Sequence, residues 1–160
     1  MSNVRPQQQR TSRLAPGAMS VPLVAITRLR VRSWRFLPAF FLQTIRAAAQ
    51  AKRTQGNVAV SVLRDAHRTF WTRTVWVDEL AMRSYMSADP HRGAMRSLAE
   101  WCDEASVVHW IQTSAKPPTW EESCGRMQRD GRASRVNNPT EAHRAYQIAP
   151  IRSRALRRPR

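Results

Sequence analysis

The stretch FWTRTVWVDE, Phe70–Glu79, has the pattern of a β-strand with apolar bulk on both sides. Successive side chains of a strand alternate between its two faces, so one face carries Phe70, Thr72, Thr74 and Trp76, and the other carries Trp71, Arg73, Val75 and Val77. A strand in a half-exposed sheet normally keeps one face polar. We therefore expect this strand to lie in a sheet that is covered on both faces.

The composition predicts one compact domain with basic ends. The chain has 160 residues, 42% of them hydrophobic, and six tryptophans, which indicate large buried contacts or a pocket. The formal charge is +16, with +3 in residues 1–20 and +5 in residues 141–160. Both ends lack apolar periodicity, so we expect flexible solubilising tails that attract nucleic acid only non-specifically.

Several classes of protein leave no signature in this sequence. Cys102 and Cys124 have no metal-ligand spacing, and no Ser-His-Asp pattern, phosphate-binding loop or dinucleotide glycine motif is present. The longest apolar candidate, Phe36–Leu42, is far too short to span a bilayer. The expected location is cytoplasmic, with no membrane partner.

Hydrophobic periodicity predicts four strands and two helices. In chain order these are a strand over Val21–Trp34, a helix over about Trp34–Lys52, strands over Asn57–Ala66 and from Phe70, a helix that Asp78 caps and Asp89-Pro90 interrupts, and a strand over Ser106–Thr113. The order β-α-β-β-α-β is typical of a ferredoxin-like α+β fold, with a four-stranded antiparallel sheet and two helices on one face.

This fold leaves the second sheet face open in a single copy. Because that face is apolar here, we expect a homodimer in which the sheet of a second subunit covers it. The predicted division of the chain is a disordered basic leader (1–20), the ferredoxin-like domain (21–115), a C-terminal helix and loop extension (116–140) and a basic tail (141–160).

Three segments carry a resemblance to a known superfamily: Ala25–Trp34, Phe70–Met86 and His91–Trp110. They resemble the antibiotic-biosynthesis-monooxygenase-like dimeric α+β barrels, and within them a bacterial subgroup related to spheroidene monooxygenase. The resemblance covers about Leu23–Gln112. It implies a homodimer with a hydrophobic aromatic or polyene ligand between sheet and helices, and oxidation either with haem or without a cofactor. The alternative is a non-catalytic ligand-binding or structural dimer of the same fold.

The haem-degrading branch of this superfamily supplies a direct check. Its pattern has an asparagine, a tryptophan and a haem-ligating histidine at the positions that Thr27, Tyr85 and Met95 occupy here. All three positions depart from the pattern, which argues against haem degradation by that mechanism.

Two residues are the candidates for chemistry. His91 follows Pro90 at a helix start and can ligate haem iron or move a proton near neutral pH, with a surface histidine as the alternative. Tyr85 can donate a hydrogen bond or a proton to a phenolic or quinone-like substrate, with a packing tyrosine as the alternative.

A second set of residues is predicted to contact the ligand: Thr27, Arg28, Trp71, Trp76, Met95 and His109. The tryptophans, with Trp110, suit a flat aromatic cavity, although core and dimer packing would also explain them. Arg28 can grip a carboxylate or a haem propionate, or lie on a solvated rim. Met95 is an axial thioether candidate or a core methionine, and His109 a pocket residue or a structural histidine.

Overall fold

The computed structural model describes residues 21–153, which form an α+β domain around one antiparallel sheet. The strands are β1 (Leu23–Val31), β2 (Asn57–Arg64), β3 (Thr69–Trp76), β4 (Cys102–Ile111) and the short β5 (Arg132–Ala133), in the order β2-β3-β1-β4-β5. After a 3-10 turn at Trp34–Phe36 come the helices α1 (Leu37–Arg53), α2 (Glu79–Ser87), α3 (His91–Trp101), α4 (Trp120–Asp130) and α5 (Glu141–Arg144).

This order confirms the predicted ferredoxin-like fold. The structure adds β5, a two-residue strand that pairs with β4, which the sequence did not predict. The predicted disordered leader, residues 1–20, and the last part of the predicted basic tail, residues 154–160, lie outside the described residues. Within residues 21–153, no helix is long and apolar enough to cross a membrane.

The opening stretch forms β3, which lies between β2 and β1 and is buried on both faces. Its pairing with β1 runs from Leu23 opposite Trp76 to Arg30 opposite Thr69. Trp71 and Trp76 point to opposite faces, and both are 0% exposed. The expectation that both sheet faces are covered is therefore met.

The first face carries α1, α2 and α3. Gly56 and Asp78 fix where α2 begins: Asp78 accepts a hydrogen bond from the Ala81 N–H at 2.8 Å, as a helix N-cap does. Gly56 has φ +86, and a Cβ added to it would lie 2.6 Å from the Ala81 Cβ. Only glycine allows this backbone conformation and this close approach of α2 to the start of β2.

The second face is covered by the chain itself, through a segment that we call the C-terminal strap, residues 118–152. Met127 and Cys124 of α4 join the cluster that contains Trp71 on the sheet, and Ile148 and Ile151 pack against its edge. Met127 is 0% exposed.

Polar contacts hold the strap at both ends. Arg73 stacks over Trp120, with its guanidinium carbon 4.2 Å from the ring centroid, and donates a hydrogen bond to the Pro118 carbonyl. At the other end the Arg152 N–H donates to Asp65 Oδ1 at 2.8 Å. The strap therefore runs from β3 to the β2–β3 turn.

In the described chain the strap covers this face, which was expected to meet the sheet of a second subunit. Helical spacing in the extension predicted α4, but the sequence pattern did not show which surface α4 would cover. The described part of the predicted basic tail, residues 141–153, contains α5 and supplies Ile148 and Ile151 to the core edge. With the face closed from within, the reason for predicting a homodimer is removed.

The junction of α3 and β4 also differs from the expectation. The last strand was predicted to begin at Ser106, but β4 begins at Cys102, which lies opposite Val31 and is 0% exposed. Glu104 also lies on β4 and pairs with Arg28 under the strap. The spacing of the apolar and acidic residues here fits a helix as well as a strand. Pairing with β1 determines that they form a strand.

Candidate functional site

A cavity of about 960 Å³ lies between the sheet and helices α1, α2 and α3, and we call it the helix–sheet cavity. Its sheet side is lined by short side chains, including Thr27 and Thr72, which lie opposite each other on β1 and β3. The α1 side is lined by Ala47, Ala48 and Ala51. Protein interiors are normally close-packed, so a gap of this size means that these side chains are too short to meet.

The helix–sheet cavity separates two apolar clusters on the same sheet face. One cluster contains Val31, Phe40 and Phe70, and the other contains Trp76 and Tyr85. Large side chains therefore close both ends of the layer, while its middle remains open.

Three rings form a stack at one end of the cavity. The Trp76 and Tyr85 ring centroids are 5.1 Å apart, and the Tyr85 and His91 centroids are 4.4 Å apart with an interplanar angle of 45°. The Trp76 indole N–H donates to Thr74 Oγ1 at 2.9 Å. This stack gives the cavity an aromatic wall suited to a flat ring system.

Gln50 of α1 fixes the position of this stack. Its Nε2 donates to the carbonyl oxygens of Tyr85 and Ala88, both at 3.2 Å, and its Oε1 accepts from the His91 N–H at 2.8 Å. Asp89 Oδ1 accepts from the Gly93 N–H at 3.0 Å. The end of α2 and the start of α3 are thus tied to α1 by hydrogen bonds.

Burial changes the proton affinity of both candidate catalytic groups. It raises the pKa of Tyr85 to about 12, so the phenol stays protonated near neutral pH. It lowers the pKa of His91, and the hydrogen bond to the Met86 carbonyl opposes this only in part. His91 Nδ1 lies 3.5 Å from that carbonyl oxygen, which can only accept. The neutral imidazole therefore carries its proton on Nδ1 and leaves Nε2 free to accept one.

Six of the eight predicted site residues line the cavity: Thr27, Trp76, Tyr85, Met95, His91 and His109. Tyr85 is 9% exposed, whereas Met95 is 41% exposed and His109 is also exposed. The last two therefore lie where the cavity meets solvent.

Two of the predicted ligand contacts, Arg28 and Trp71, do not reach the cavity. Both lie on the strap-covered face, because neighbours on a strand point to opposite sides. Arg28 Nη1 forms a buried ion pair with Glu104 Oε2 at 2.7 Å, and Trp71 packs in the cluster under the strap. Trp110 packs against that cluster too, with Arg126 over its ring at 5.1 Å.

The sequence reasoning missed the residues that create the cavity. The inward face of α1 carries Ala47, Ala48 and Ala51, whereas the larger Phe41 and Ile45 are 39% and 66% exposed. The available signal was a lack of bulk in the run AAAQA, residues 47–51. Gln43 and Gln50 on the same helix were also missed.

Comparison with solved structures identifies proteins of similar fold. The chain resembles the PA3566 protein of Pseudomonas aeruginosa (TM-score 0.54, 16% identity, covering 61% of this chain and 100% of that one). It also resembles a putative antibiotic biosynthesis monooxygenase of Nitrosomonas europaea (TM-score 0.52, 18% identity, 58% and 91%). A third match is the Rv0793 protein of Mycobacterium tuberculosis (TM-score 0.53, 10% identity, 58% and 96%). No curated protein gives a significant match.

These similarities confirm the predicted ferredoxin-like α+β fold, which the domain shares with these proteins. Residues 41–138 match the family described as a domain of unknown function, DUF3291, and the chain belongs to that family. The matched range includes α4 and β5, so the first part of the strap is part of the family domain.

Proposed function

We propose that this chain is a monooxygenase-like protein that binds a hydrophobic aromatic or polyene molecule in the helix–sheet cavity. The observation that carries the proposal is the cavity of about 960 Å³, walled by Trp76, Tyr85 and His91. A concave, mostly apolar space with a few convergent polar groups is the usual form of a small-molecule site. The similarity to the Nitrosomonas europaea protein supports the oxygenase class through its fold.

His91 is the residue to which we assign proton transfer. Its neutral imidazole offers Nε2 as a base, and the Tyr85 phenol beside it stays protonated as a hydrogen-bond donor. An electron-rich substrate that loses a proton to Nε2 can then react with O₂. If an activated CH₂ group becomes a carbonyl, one oxygen atom enters the substrate and the other leaves as water, so no external reductant is required.

Oxidation with haem is one of the two alternatives that the resemblance implies, and the cavity wall contains groups that suit this cofactor. His91 Nε2 would ligate the iron, and Arg83 and Arg132, which also line the cavity, would neutralise the propionates. Bound haem would supply activation of O₂. The residues of the chain that line the cavity would then exclude water from it.

Oxygen uptake and absorption spectra of the purified protein test the proposal. We expect O₂ consumption with quinol or polyketide-type substrates, or a Soret band on addition of haemin, and loss of either signal in His91→Gln. The control is His67→Asn, in the β2–β3 turn: His67 has φ 56, which asparagine tolerates, and it does not line the helix–sheet cavity. Binding of an aromatic ligand without O₂ uptake or a haemin spectrum would leave the non-catalytic binding protein as the function.

A further inference from the structure

The outer face of α1 is apolar, although it faces solvent. Phe40, Ala47 and Ala51 turn the inner side of this helix towards the sheet and the helix–sheet cavity. Leu42 and Ile45 lie on the opposite side, because each is two residues, or about 200°, away from an inward position. They are 49% and 66% exposed. A helix on the surface of a water-soluble domain normally carries polar residues there.

This apolar surface continues towards the start of the helix. Phe41 is 39% exposed, and Ile45 is its neighbour one turn further on. Trp34, in the 3-10 turn that leads into α1, is 64% exposed, with Arg68 over its ring at 5.4 Å. Single exposed apolar residues are ordinary, whereas a group of them marks a surface that binds a partner. We call Trp34, Phe41, Leu42 and Ile45 the α1 apolar patch.

The surroundings of the α1 apolar patch are cationic. The first acidic residue of the chain is Asp65, so neither α1 nor the strands on either side of it in the chain carry a carboxylate. Arg46, Lys52 and Arg53 are exposed on α1. None of the three forms an ion pair with a residue in 21–153. Their charges are therefore available to an anionic partner.

The acidic side chains of the neighbouring helices do not offset this charge. Glu79 of α2 forms an ion pair with Arg83, and Glu100 of α3 forms one with Arg32. Asp89, between the two helices, accepts a hydrogen bond from a backbone N–H of α3. Each of these carboxylates is thus engaged within its own part of the fold.

The combination of apolar and cationic groups selects among three kinds of partner. A second copy, related by a two-fold axis, would bring the same unpaired cations together. Single-stranded nucleic acid would satisfy the cations, but the aliphatic Leu42 and Ile45 offer no ring on which a base can stack. An anionic lipid surface satisfies both groups, because it presents phosphates above an apolar layer.

We propose that α1 lies on an anionic lipid bilayer, with the α1 apolar patch at the boundary between headgroups and acyl chains and Arg46, Lys52 and Arg53 against lipid phosphates. Buried apolar area and attraction to anionic lipids hold such a helix in the interface. The prediction of no membrane partner was drawn from the lack of a spanning segment, which a helix lying in the interface does not need. This inference does not depend on the proposed function.

Sedimentation of the full-length protein with lipid vesicles tests this surface. We expect binding to vesicles of phosphatidylcholine with about 30% phosphatidylglycerol, and at least tenfold weaker binding to phosphatidylcholine alone. Ile45→Ser should weaken binding to the anionic vesicles about tenfold, because it removes apolar area from the interface. The matched control is Ile111→Ser on β4, since Ile111 is 64% exposed and Ile45 is 66% exposed. It should bind as the wild type does.

A second pair of variants tests the cationic part of the surface. Arg46→Gln should weaken binding to the anionic vesicles about fivefold and reduce its dependence on salt, because one charge near the lipid phosphates is lost. Arg129→Gln, at an exposed position of α4, removes the same charge away from α1 and should leave binding unchanged.

Three results would overturn the proposal. The first is no binding of the wild type to the anionic vesicles. The second is equal binding by Ile45→Ser and Ile111→Ser, which would mean that basic segments of the chain attract the lipid without α1. The third is a wild-type dimer in light scattering that Ile45→Ser converts to a monomer, which would assign the α1 apolar patch to a contact between copies.

Discussion

The imidazole of His91 packs against the ring of Tyr85, with the centroids 4.4 Å apart, at one end of the helix–sheet cavity. Gln50 holds both residues through their backbones, so the contact depends on α1 as well as on the α2–α3 junction. The contact places a neutral base beside a phenol that stays protonated. It is the chemical centre of the proposed site.

The buried imidazole predicts how stability depends on pH. The pKa of His91 is lowered in the folded state, so below about pH 6.5, the ordinary histidine pKa, the unfolded chain binds a proton that the folded chain does not. Stability should therefore fall as the pH falls through this range. We expect the melting temperature of the wild type to drop more between pH 7.5 and 5.5 than that of His91→Gln. Equal drops in the two proteins would contradict the burial of His91.

The two tryptophans of β3 predict a contrast in ligand-induced fluorescence quenching. Trp76 lines the cavity, whereas Trp71 lies under the strap on the opposite face. Titration with an anthraquinone should quench Trp71→Phe about as strongly as the wild type, and should quench Trp76→Phe much less. Both residues are 0% exposed, so the two substitutions are matched in burial. If Trp71→Phe lost more quenching than Trp76→Phe, the ligand would bind on the strap-covered face and not in the helix–sheet cavity.

The strap predicts a large loss of stability when its core contact is removed. Met127 is 0% exposed and packs in the cluster with Trp71. Met127→Ala should lower the free energy of unfolding by about 2–5 kcal/mol, as large-to-small substitutions in cores do. Glu121→Ala, at an exposed position of the same helix, should change it by less than about 0.5 kcal/mol. Urea denaturation measures both, and similar effects would mean that α4 does not pack on the sheet.

The closed second face predicts the mass of the protein in solution. The sheet surface on which two copies were expected to meet is occupied by α4 and residues 148–151. Light scattering of the full-length chain at micromolar concentration should therefore give a mass near 18.4 kDa. Twice that mass would show that two copies associate through another surface or that the strap is displaced.

The sequence predicted the order of elements and much of the cavity wall, because alternation along β1, β3 and β4 assigns side chains to faces. Thr27, Trp76 and His109 lie on the helix-facing side by this rule. The same rule places Arg28 and Trp71 on the opposite side of the sheet. Their prediction as ligand contacts was therefore inconsistent with the alternation of side chains along the strands.

The sequence pattern could not predict the position of the strap or the existence of the cavity. The amphipathic α4 has a buried face with Cys124 and Met127, but helical spacing does not identify the surface that it packs on, which depends on contacts far along the chain. The cavity exists because large side chains are absent from its walls. Short side chains such as Ala48 and Thr72 come to line one space only when the helix packs over the sheet. Single-sequence periodicity reports bulk and polarity, and it does not report such gaps.

The most direct test of the account is a binding titration with 2,6-dihydroxyanthraquinone on a variant in which the cavity is filled. Ala48→Phe places a ring in the cavity wall, and Ala39→Phe places the same ring at an exposed position of α1 outside that wall. We expect the wild type and Ala39→Phe to bind with similar affinity and Ala48→Phe to bind at least tenfold more weakly, with all three folded by circular dichroism. Undiminished binding by Ala48→Phe, or no binding by the wild type, would contradict the claim that the helix–sheet cavity is the ligand site.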